Sequence, residues 1–121
     1  GVHRPGQPAI QLLDIPAEVL VRMRNYCGSV DADVSGQWFA ASSPQGGLIT
    51  FWSAADGAYR GSAAIADGCG IAAGAHAGEF VLSSGAGGLY RYDAAQMALT
   101  ALDTTGLADA RWDNHLLKGL L

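Results

Sequence analysis

Charge, cysteine and long apolar runs are all scarce in this sequence, and each scarcity removes a class of protein. Seven Lys and Arg against eleven Asp and Glu leave a net charge of −4 over 121 residues. A phosphate backbone selects a basic stripe, and these seven cations are spread along the whole chain, so nucleic acid is excluded as a main partner. No stretch approaches the roughly 18–20 consecutive apolar residues that span a bilayer as a helix. The two cysteines, Cys27 and Cys69, make neither Cys-x-x-Cys nor Cys-x-x-Cys-His, which removes thioredoxin-like redox chemistry and c-type haem attachment. No Gly-x-Ser-x-Gly elbow surrounds any serine. "GCGIAAG" (68–74) places its third glycine one residue late for a dinucleotide fingerprint and runs into a strand pattern. No residue is therefore assigned a catalytic role. The low hydrophobicity of disordered chains is missing too, since half of the residues are hydrophobic, and the length suits a single domain. The chain opens on Gly1, which reads as a processed or excised piece whose signal peptide would already be gone.

What the sequence has is a repeat. "FAASSPQGGLITFW" (39–52) returns 41 residues later as "FVLSSGAGGLYRYD" (80–93), with six of fourteen positions identical. The identities are Phe39/Phe80, Ser42/Ser83, Ser43/Ser84, Gly46/Gly87, Gly47/Gly88 and Leu48/Leu89. "WFAASS" and "LITFWSA" are short, rich in aromatic and β-branched or small residues, and separated by "PQGG", a turn in which Pro presets φ and Gly tolerates positive φ. Asp56-Gly57 is the strongest hairpin signal in the chain and leads into "YRGSAAI". The second copy repeats this layout as "EFVLSS", "LYRYDA" and "ALTALDT". One further segment, opened by a cysteine, precedes each set: "CGSVDADV" (27–34) and "CGIAAGAH" (69–76). Four short strands per unit at a period of 41–42 residues predict β-propeller blades. A β-sandwich meander of unrelated hairpins fits the turn spacing as well, and the in-phase identities favour the propeller over it.

The flanks fit the same scheme. "AIQLLDI" and "EVLVRMRN" read as the last strands of a preceding blade, and "DARWDNHLLKGLL" as the first strand of a following one. Ala66-Asp67 and Ala108-Asp109, 42 apart, mark the same point of blade entry. The expected division is thus 1–26, 27–68, 69–110 and 111–121: an all-β partial propeller of about three blade-equivalents. A closed ring needs about four blades or more, so the chain is expected to be a fragment of a larger propeller or to associate with a second copy around one axis.

"YCGSV", "AASSPQGG", "DGCGIA", "LSSGAGGLYRYD" and above all the closing "RWDNHL" resemble a family of exported bacterial proteins known as domain of unknown function DUF1513. The resemblance covers essentially the whole chain, as the C-terminal third of proteins roughly three times as long. It implies a seven-bladed propeller-like fold, export to the periplasm, often by the twin-arginine route, and company with imelysin-type iron-uptake proteins. It implies no activity and no catalytic residues, and a site built across a whole ring is in doubt for a chain this short.

Trp112-Asp113-Asn114-His115 is the most chemically loaded stretch. On a strand, Asp113 and His115 face one side and Trp112 and Asn114 the other. They are candidate ligand-contacting residues at a channel mouth, with His76 at the end of the corresponding strand one unit earlier. Imidazoles and a carboxylate would suit iron or zinc, although no compact ligand motif is present and no cofactor is assigned. The competing reading is that Asp113 and His115 satisfy backbone groups where the ring closes. Cys27 and Cys69 occupy equivalent places and are read either as a disulfide or as buried free thiols. Trp38, Trp52, Phe51 and Tyr92 read as packing between sheets. The expected function is a non-enzymatic binding or scaffold module whose partner is an unknown protein or small ligand. The alternative is a metal or small-ligand site at the channel mouth.

Overall fold

The computed structural model describes residues 1–107, 109–117 and 119. Two four-stranded antiparallel sheets make up the body of the molecule. The first comprises β1 (Val30–Ala32), β2 (Trp38–Ser43), β3 (Leu48–Ser53) and β4 (Tyr59–Ala64). The second comprises β5 (Gly68–Ala73), β6 (Glu79–Ser84), β7 (Leu89–Asp93) and β8 (Ala98–Ala101). In each sheet the strands lie side by side in chain order. The sheets pack face on face, with β5 against β1 and β2. This is the propeller-like arrangement of successive four-stranded blades.

The joint between the sheets is the core. Ala40, Ile49, Phe51 and Ala63 of the first sheet meet Ile71, Phe80, Leu82 and Tyr92 of the second. Phe51 stacks on Tyr92 at 3.8 Å between ring centroids and meets Phe80 tilted at 5.5 Å. Each large apolar side chain buried here contributes on the order of 1.5–3 kcal/mol. The aromatic cluster is therefore the main reason the two blades hold together.

The two sheets differ by one step of register. Ser43 pairs with Leu48 in the first, but Ser83, not Ser84, pairs with Leu89 in the second. The first hairpin turns through Pro44–Gly46 as a 3-10 turn, closed by Gly47 in the left-handed region at φ 62°. The second turns more tightly through Gly85, Ala86 and Gly87, with Ser84 N–H donating to Gly88 O at 3.0 Å. One step of register reverses the face of every side chain on a strand. Phe51 and Tyr92 align in the sequence, and for this reason they face each other across the joint.

The flanks depart from expectation. "EVLVRMRN" is not a strand: Ala17–Arg22 form helix α1. Pro16 stands at its N-cap, Glu18 lies in its first turn and Arg22 in its last, matching the helix dipole. Arg24 and Asn25, at φ 53° and 55°, end it. "AIQLLDI" makes a single bridge, Val2 with Gln11, in place of a strand. Neither segment pairs with β1 or β4, the edge strands of the first sheet. No strand forms among the described residues of 109–119. Ala108, expected to mark blade entry with Asp109, lies outside the described residues, as do Lys118, Leu120 and Leu121 of the expected last strand.

Candidate functional site

Buried polar groups in the joint mark where the blades are tied. Ser43 Oγ donates to Met23 O and Ser84 Oγ to Ala66 O, each at 2.7 Å. The second serine of each pair thus clamps the connector that enters its own blade. Asn25 and Asp67, 42 residues apart, turn those connectors through the left-handed region. Ser42 Oγ crosses to the next sheet and donates to Cys69 O at 2.7 Å, whereas Ser83 Oγ accepts from Gly70 N–H at 3.0 Å within its own sheet.

Two carboxylates complete the tie. Asp31 Oδ2 accepts from Ala73 N–H at 3.2 Å, joining β1 to β5. Asp33, buried in the β1–β2 turn, accepts from Trp38 N–H at 2.9 Å, from Ser35 N–H and hydroxyl at 3.2 and 2.5 Å, and from Gly78 N–H of the second blade at 2.8 Å. Burial alone would raise its pKa. The bonds from Ser35, Gly78 and Trp38 together outweigh burial and hold the carboxyl below its ordinary value. Burial likewise pushes the Tyr92 phenol up. The sequence reading took the serines as small packing residues and passed over both aspartates. For the serines a signal was present: two hydroxyls kept in phase through the repeat.

The loaded stretch near the C-terminus runs alongside β5. Cys69 Sγ lies 3.6 Å from Trp112 O. Exposure alternates along it: Trp112, Asn114 and Leu116 are half-buried, and Asp113, His115 and Leu117 face solvent. The expected alternation is therefore present without a strand ladder. His115 sits at φ 74°. Asp113 Oδ1 accepts from Asn114 N–H at 2.7 Å. Asn114 packs against Gly28 at the start of the first blade, where an added Cβ would lie 2.6 Å from Asn114 Oδ1. A larger residue at 28 would have to displace the Asn114 side chain.

The other candidates are placed apart from one another. Trp112 and Leu116 line a cleft of about 370 Å³ with Ala72, Glu79, Val81 and Leu89. Asp113, His115 and His76 do not line it. His76 is exposed in the turn after β5, beyond the strand end at Ala73, and its carbonyl accepts from Glu79 N–H at 3.0 Å. Among the described residues no three His, Cys, Asp or Glu side chains come together as a metal-holding group. Cys27 is exposed and Cys69 buried, and both are free, so they do not form the buried pair expected. Trp38 packs against the joint as expected, but Trp52 lies on the opposite face, stacked on Phe39 at 6.0 Å.

A family model for proteins of unknown function, DUF1513, matches residues 1–119. The chain belongs to that family. No match to it was found among curated proteins. The family carries no defined activity, and no helix among the described residues is long and apolar enough to cross a membrane.

Proposed function

We propose that this member of the DUF1513 family is a non-enzymatic binding or scaffold module of the bacterial envelope, a run of propeller blades exported to the periplasm. The observation that carries the reading is how the buried polar groups are used. Among the described residues every buried side-chain nitrogen and oxygen has a hydrogen-bond partner within the fold. Asp33, Ser42, Ser43 and Ser84 bond to backbone groups and hold the blades in register. An active site instead leaves polar groups directed at a cavity for substrate. A partner, protein or small ligand, would then be read by the turns and by the stretch from Trp112 to His115. The family resemblance supports periplasmic location and a link to iron handling. The remaining blades of a closed ring come from a longer polypeptide or from a second copy.

Titrating iron and zinc into the purified protein, with His115→Ala alongside, tests the reading. A scaffold gives no saturable binding that depends on His115. Stoichiometric binding abolished in the variant overturns it in favour of a metal centre at Asp113 and His115.

A further inference from the structure

We infer that strand β8, the outer edge of the second sheet, is an interaction surface on which two copies of this chain pair edge to edge. Within its sheet β8 is the strand farthest from β5, so it lies on the perimeter of the blade, where neither a preceding nor a following blade would cover it. All four of its residues, Ala98–Ala101, are exposed. Its ladder to β7 is regular: Ala98 lies opposite Asp93, Leu99 opposite Tyr92, Thr100 opposite Arg91 and Ala101 opposite Tyr90. Just beyond, Leu102 N–H donates to Leu89 O at 2.9 Å. Bonding alternates along an antiparallel pair, so Ala98 and Thr100 turn their backbone groups to β7, and Leu99 and Ala101 turn theirs outward. The open edge thus offers two N–H donors and two carbonyl acceptors to another strand.

Edge strands are ordinarily shielded by charge, proline, bulges or a covering segment. β4, the corresponding edge of the first sheet, is shielded in this way. Its register shifts against β3, Arg60 stands within it, and Met97 Sδ reaches to Gly61, 3.6 Å from where a Cβ would stand. β8 has no charge, no proline and no bulge. Two copies of β8 running antiparallel about a two-fold axis at Thr100 set Leu99 of each against Ala101 of the other. That forms four N–H···O bonds and places the two Thr100 side chains directly opposite, a favourable cross-strand pair. Further out, Ala98 meets Leu102 and Met97 meets Asp103 of the second copy, so no like charges face each other even though the chain carries a net charge of −4. A foreign peptide gains the same backbone bonds without the matched threonines or the assured absence of facing charge. With only four residues on each side the contact is small, and the pairing is weak and reversible. It is separate from ring completion, which uses the blade faces, and it stands whether or not the blades serve as a scaffold.

Light scattering at rising protein concentration, with amide hydrogen exchange read residue by residue, tests the pairing. The expected result is a mass that climbs from one chain toward two as the concentration enters the millimolar range, with the Leu99 and Ala101 amides slowed in step. Thr100→Glu abolishes both changes. The new carboxylate faces Arg91 within its own sheet, which favours the fold, and meets its like across the axis, which opposes pairing. If that variant unfolds, seen as loss of the near-ultraviolet signal of the Phe51–Tyr92 stack, Ala101→Pro takes its place. Proline there removes an outward N–H and leaves the ladder to β7 intact. A mass of one chain throughout overturns the proposal. So does association that survives in the folded variant or leaves the two amides unprotected, because the copies would then be meeting through the blade faces.

Discussion

Phe39 and Phe80 hold the same place in successive blades, each on the second strand and each facing back along the chain. Phe80 is completely buried because the first sheet lies in front of it. Phe39 is half-buried, with residues of the N-terminal segment, Leu13, Leu20 and Met23 among them, in place of a sheet before it. The forward faces differ in the same way. Ala40 is fully buried under the second sheet, while its counterpart Val81 is partly open in the cleft beside Trp112. A blade does not set the burial of its own residues; its neighbour does. The lesson applies to any repeat architecture in which each unit covers the next.

The comparison yields graded expectations. Phe80→Ala leaves a cavity in the joint and is expected to cost about 3–5 kcal/mol in urea unfolding, against about half of that for Phe39→Ala. Equal losses would mean that the N-terminal segment covers Phe39 as a full blade would. Next in size is the register. Deleting Gly88 keeps a three-residue turn but sets Ser84 opposite Leu89, which shifts the pairing by one step and is expected to move Tyr92 out of the joint. Loss of the Phe51 stack and of ring burial should cost about 2–4 kcal/mol and flatten the near-ultraviolet circular dichroism. An unchanged spectrum and midpoint would show that the turn does not set the pairing.

The serine clamps probe likeness, not difference. Ser43→Ala and Ser84→Ala each take a hydroxyl donor from a connector carbonyl, although Met23 O keeps Tyr26 N–H at 3.1 Å, and each is expected to cost about 1–2 kcal/mol. A large loss for one and none for the other would break the equivalence of the blades. The smallest effect is a slope with pH. The folded pKa of Asp33 lies below its ordinary value of 3.8. Its contribution is therefore fully present above that value and is lost as pH falls below it, through the folded pKa. Unfolding midpoints of the wild type should drop in that acid window, and Asp33→Asn should show a shallower drop. Parallel acid limbs would mean that other carboxylates carry the dependence.

Much of this fold was legible in the residues. The expected strands 38–43 and 79–84 match β2 and β6 end to end; five of the other six fall within their expected segments, and β5 begins one residue ahead of its segment, at Gly68. Short aromatic and β-branched runs between Pro, Gly and Asp-Gly turns are local signals, and blades are built from local hairpins. The N-terminal "EVLVRMRN" misled because its apolar residues also suit a short helix once Pro16 starts it. The candidate site was less legible. Trp112, Asp113, Asn114 and His115 stood out by composition, but whether His76 joins them depends on where a turn after β5 projects, which no local pattern encodes. Asp31 and Asp33 passed unnoticed because their partners, Ala73 and Gly78, lie more than forty residues away in another blade.

By itself the sequence determined the repeat, the strand order within each blade and the turn positions, because these follow from residue preferences over a few neighbours. Only the tertiary structure decided which face of each blade is buried, the one-step slip that sets Phe51 on Tyr92 and the exposure of Cys27. Those depend on what packs against a strand, and contact between distant segments is not written in any short stretch of chain.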